Sequence, residues 1–95
     1  MLTLRLRHAW GEPKDWPLED EADEAIARRA LDRLGEFAVD DPESQEQVLL
    51  ADDDGGPVGV WNKEGARRFA GELESAQSLV LQNIRQDLLL AVSAG

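Results

Sequence analysis

From Ala66 to Ala91 the apolar residues Ala66, Phe69, Leu73, Ala76, Val80, Ile84, Leu88 and Ala91 recur at steps of three or four. That spacing places them on one face of an α-helix. The pattern predicts helix over 63–93, and Asn62 supplies a side-chain oxygen suited to its start. Unbroken, such a helix would run about 46 Å at 1.5 Å per residue. That is longer than a 95-residue domain is wide. Gly65 and Gly71 weaken its first turns, and Ser75 to Ser78 is a place for a bend. One helix or two satisfies the pattern, and in either case the rest of the chain must cover it.

The preceding residues change period twice. Leu2, Leu4 and Leu6 alternate with Thr3, Arg5 and Arg7, the mark of a strand with one buried face, expected over 2–8. Gly11 to Pro17 reads as a loop because of its glycine and two prolines. Ala22, Ile26, Ala30 and Leu34 then recur every four residues, predicting a helix over 18–35 with Gly35 as its stop. Carboxylates crowd its positive end, and Glu24 precedes Arg28 by one turn. Residues 36–47 fit either a helix extension or the start of a strand, and Asp40-Asp41-Pro42 interrupts both. Val48–Ala51 and Val58–Trp61 flank an acidic Gly-containing turn and predict a β-hairpin over 47–61. The order is β-α-β-β-α. This is a single α+β domain over 1–95, with a small antiparallel sheet packed by two helices in two layers and a long C-terminal helix.

Several classes of function are excluded early. The chain has no cysteine, hence no disulfide framework, thiolate metal site or cysteine nucleophile. Arg5 and Arg7 interrupt the N-terminal leucines, which argues against a secretory leader. No apolar run approaches the roughly 20 residues that cross a bilayer. The formal net charge is −10, repelled by phosphate backbones and anionic lipid. A cytoplasmic protein with no membrane and no direct nucleic-acid partner is the expectation.

Catalytic motifs are also missing. His8 is the one histidine, and Ser44, Ser75, Ser78 and Ser93 lie in no nucleophile motif. His8 falls on the leucine face of the first strand and reads as a core-edge residue. Asp87, between Ile84 and Leu88, is the one carboxylate within an apolar run, and it fits a solvent-facing position equally well. Asp52-Asp53-Asp54-Gly55-Gly56 superficially suggests a calcium loop, but an EF-hand counted from Asp52 needs glycine and glutamate where Pro57 and Lys63 stand. The glycines are followed by no Lys-Ser/Thr pair, so there is no phosphate loop. No enzyme, metal or cofactor is expected.

What remains is surface chemistry. Residues 12–54 carry 16 acidic and 4 basic side chains, whereas the rest of the chain has a small positive balance. Glu19, Asp20, Glu21, Asp23 and Glu24, with Asp52, Asp53 and Asp54, form either a solubilising face or the footprint of a basic partner. Trp10 and Trp16 stand in the proline-bracketed loop as interface anchors or as lids on a thin core, while Trp61 belongs to the core. Leu81, Leu88, Leu89 and Val92 make the final helix apolar on more sides than one small domain covers, which suggests a homodimer unless that end frays. The expectation is a non-catalytic acidic protein-interaction module, of the inhibitor, antitoxin or immunity type, masking a basic nucleic-acid-binding protein. The alternative is a structural subunit that assembles through the C-terminal helix. A small ligand-binding domain with His8 and Trp10 at the mouth of a groove is a third, weaker reading.

Overall fold

The alternating leucines at the N-terminus form strand β1 (Leu2–Leu6) in the computed structural model, which describes residues 1–7, 13–35, 48–54 and 56–93. Along the chain follow β2 (Lys14–Leu18), α1 (Glu21–Asp32), β3 (Leu49–Asp53), β4 (Gly56–Trp61), α2 (Lys63–Glu72) and α3 (Leu79–Ser93). The fold is α+β, with an antiparallel sheet in the order β2-β1-β3-β4 and a long C-terminal helix. Strands β2 and β3 both run antiparallel to β1 and flank it, so the segment containing α1 crosses over β1. His8, Trp10 and the ambiguous segment 36–47 lie outside the described residues.

Two expectations about elements change. The stretch taken as a loop up to Pro17 contains strand β2, which pairs with β1 from Leu2↔Leu18 to Leu6↔Lys14. β2 is an edge strand, where a proline without an amide hydrogen is tolerated. Leu18 therefore ends a strand instead of beginning a helix. The first helix starts at Glu21, capped by the Asp20 carboxylate, which accepts the amides of Ala22 and Asp23 at 2.8 and 3.3 Å.

The C-terminal pattern resolves into two helices. The molecule is 31 Å along its greatest extent, too short for the unbroken alternative. α2 ends at a cap residue, Leu73, whose amide turns back to the carbonyls of Phe69, Ala70 and Gly71. The Ser78 hydroxyl accepts the amide of Leu81 at the start of α3. Gln82 fastens the corner: its side-chain amide donates to the carbonyls of Ala76 and Leu73 at 2.6 and 2.8 Å. These carbonyls lie past the end of α2, beyond its i to i+4 ladder; the Leu73 carbonyl also accepts the Ala76 amide at 3.1 Å.

Residues paired across strands share a face, and one face holds the core. Leu2, Leu4 and Leu6 stand beside Leu18 and Trp16 on one side and Leu49 and Ala51 on the other, with Trp61 opposite Leu49. Ala27, Ala30 and Leu31 of α1, Ala66, Phe69 and Ala70 of α2, and Leu81, Ile84, Leu88 and Val92 of α3 join the same cluster. Each large side chain buried there contributes about 1.5–3 kcal/mol. Gly59 lies under the Trp61 indole, and a Cβ at that position would sit 2.9 Å from the ring. The opposite face carries the row Asp15, Arg5, Leu50 and Val60. There Arg5 donates to Asp15 at 2.6 Å, which raises the pKa of the guanidinium and lowers that of the carboxyl.

Candidate protein-interaction surface

Arg28 joins the two acidic segments that the sequence separates. One turn after Glu24 on α1, its guanidinium donates to that carboxylate at 3.0 Å and to Asp53, at the end of β3, at 2.6 Å. The Met1 amino group reaches Asp54 at 2.7 Å and Asp53 at 3.3 Å. The start of α1 and the tip of the β3–β4 hairpin thus form one acidic pole. Of the eight expected carboxylates (Glu19, Asp20, Glu21, Asp23, Glu24, Asp52, Asp53 and Asp54), Glu24, Asp53 and Asp54 are met there by Arg28 and the Met1 amino group. Asp52 instead pairs with Thr3 on the opposite sheet face, where its charge helps raise the pKa of Arg5.

The members of the pole have different duties. The Arg28 guanidinium, helped by the Asp54 amide, holds the Asp53 carboxyl down at about 2. Asp53 in turn, followed by Glu24, raises the pKa of Arg28, and Asp54 does the same for the Met1 amino group. Asp20 is spent on the helix cap. Asp23 is 8% exposed and is not a surface residue, which removes it from the expected partner-binding set. It lies in the first turn of α1, where the helix dipole favours a carboxylate. Glu19, Glu21, Asp52 and Asp54 are exposed.

The other expected anchors move. Trp16 is not on a loop: it lies on β2 opposite Leu4 and packs, half-buried, against the core. Leu81, Leu88 and Val92 face the core of their own chain and Leu89 is partly buried against it, so none offers a self-association surface. Among the described residues the exposed large apolar side chains are Met1, Val58, Leu79, Val80 and Leu90, three of them on α3. The helical period alone could not find these, because it does not fix how far α3 is rotated about its own axis. Asp87, on the side of α3, receives Lys14 of β2 at 3.3 Å.

The described residues form no group of three or more His, Asp or Glu side chains placed to hold a metal ion. No described helix is long and apolar enough to cross a membrane. The open sheet face has a groove of about 260 Å³ lined by Arg5, Arg7, Pro13, Val48, Leu49 and Leu50, with Arg5 committed to Asp15. Comparison with protein-family models, with curated proteins and with solved structures finds no match to this chain.

Proposed function

We propose that the chain is a non-catalytic acidic interaction module that docks on a basic, nucleic-acid-binding protein and masks it, as an inhibitor, antitoxin or immunity-type protein does. The observation that carries this reading is the Arg28 bridge between Glu24 and Asp53, which gathers two distant acidic segments into one pole. Internal pairing uses part of that charge and leaves Glu19 and Glu21 exposed about the start of α1, with Asp52 exposed on the other sheet face of the same hairpin tip. Carboxylates so placed stand in for the phosphates of the partner's usual ligand. The attraction speeds encounter and weakens as salt screens it. In this reading the chain acts in the cytoplasm, its partner is a protein, and it touches neither nucleic acid nor membrane.

The test compares wild type with Glu19→Lys/Glu21→Lys/Asp52→Lys, each immobilised and exposed to native lysate, then washed at rising salt. The proposal expects a basic protein that wild type retains at low salt, releases at high salt, and that the folded triple variant fails to hold. Equal retention by both baits, or capture with no bias toward basic proteins, would remove the acidic pole as the docking site.

A further inference from the structure

We infer that the outward side of α3 is the seam of an antiparallel homodimer, a surface separate from the acidic pole. α3 turns Leu81, Ile84, Leu88 and Val92 into the core. On its opposite side Leu79 and Leu90 are 75% and 69% exposed, with Asn83 and Gln86 exposed between them. Positions 79, 83, 86 and 90 are separated by four, three and four residues and so lie in one stripe along the helix. The stripe carries no charge, although 32% of the chain is charged. The charged residues of α3, Arg85 and Asp87, are both half-buried.

The occupant follows from the symmetry of the stripe. A two-fold interface must be self-complementary, so that if residue i of one copy meets residue j of the other, j meets i. Read from either end, this stripe is leucine, amide, amide, leucine, centred between Ile84 and Arg85. Two copies laid antiparallel about that centre place Leu79 against Leu90 of the second copy, twice. Asn83 then faces Gln86, and each amide side chain has both a donor and an acceptor to offer. Antiparallel helices also set opposite dipole ends side by side. An uncharged seam suits two copies of net charge −10, for which a carboxylate at the contact would be costly.

The stripe spans about 16 Å at 1.5 Å per residue. Its four residues fall well short of the roughly 20–30 a side of a standard interface, so the dimer is weak and concentration-dependent. Salt separates this surface from the pole: screening strengthens the association of two like-charged copies and weakens capture of a basic partner.

Sedimentation velocity on the full chain, from micromolar to millimolar concentration at low and high salt, tests the inference. The mass is expected to rise from 10.5 kDa toward twice that value, at lower concentration when salt is high. Leu79→Lys and Leu90→Glu alter exposed positions and should keep the wild-type thermal midpoint. Each alone is expected to stay monomeric, and an equimolar mixture to regain the dimer as the new ammonium meets the new carboxylate. A wild type that remains monomeric at millimolar concentration overturns the inference. So does a dimer that survives either substitution, and a mixture of the two variants that stays monomeric overturns the antiparallel register.

Discussion

The indole N–H of Trp61 donates to the main-chain carbonyl of Leu34 at 3.1 Å in the protein interior. That bond ties the last residue of β4 to the chain just after α1, satisfying a carbonyl the helix itself leaves open. Gly59 makes room for the ring that reaches it. Trp61→Phe keeps most of the apolar contact but strands the Leu34 carbonyl, at an expected cost of about 1–3 kcal/mol. Gly59→Ala is expected to cost about 1–3 kcal/mol by displacing the ring. Urea titration followed by far-ultraviolet circular dichroism reads both, and an unmoved midpoint in either variant contradicts the arrangement.

Gln82 is expected to matter more than a half-buried glutamine ordinarily does. Its two short bonds close the carbonyls of Leu73 and Ala76. Gln82→Leu removes both and should cost about 1–2 kcal/mol. Gln82→Glu should cost more, since a carboxylate would face the same oxygens. If the glutamate variant were as stable as wild type at neutral pH, the corner between α2 and α3 would have to be held in some other way.

Acid should expose the Arg28–Asp53 bond. Asp53 sits at about 2 in the folded protein against an ordinary 3.8. A carboxyl whose folded value lies below its unfolded value adds stability that is complete above the unfolded value and is lost as pH falls through the folded one. Asp15, lowered by Arg5, acts with the same sign. The contribution of Asp53 is therefore present above about pH 4 and fades between 3.8 and about 2. Asp53→Asn should lower stability at neutral pH and flatten the acid limb in that window. Stability–pH curves that run parallel for variant and wild type would show the bond to be energetically silent.

Within the pole, capping and partner contact are expected to separate by mutation. Asp20→Ala removes the acceptor for two amides and should cost about 1 kcal/mol. Glu19→Ala and Glu21→Ala remove exposed carboxylates and should leave the thermal midpoint nearly unchanged. Thermal melts of the three variants decide it. A larger loss for either glutamate than for Asp20 would reverse the assignment.

The α+β class was legible because Leu2, Leu4 and Leu6 alternate while Ala22, Ile26 and Ala30 recur every four residues. Strand β2 was hidden by Pro17, since an edge strand need not look like a central one. On the last helix the sequence put Val80 and Ala91 inward, yet Leu81 and Val92 are the buried residues. Ile84 and Leu88 keep their expected places, while at each end of the stripe the buried position is the next residue along, a small rotation of α3 that no local pattern encodes. For the pole, Glu24 beside Arg28 was visible as a one-turn pair. Arg28 beside Asp53 was not, because those residues are 25 positions apart and meet only when the sheet closes.

Strand β1 comes first in the chain yet occupies an interior place in the sheet. While the polypeptide is being synthesised, the ribbon of β1 and β2 appears with one edge of β1 unpaired until β3 is made. Its leucines also lack the cover that Leu81, Ile84, Leu88 and Val92 later provide. A nascent chain stalled before residue 79 would carry a greasy, half-finished sheet, a form that invites aggregation or capture by chaperones. The docking of α3 is thus the step that completes this core.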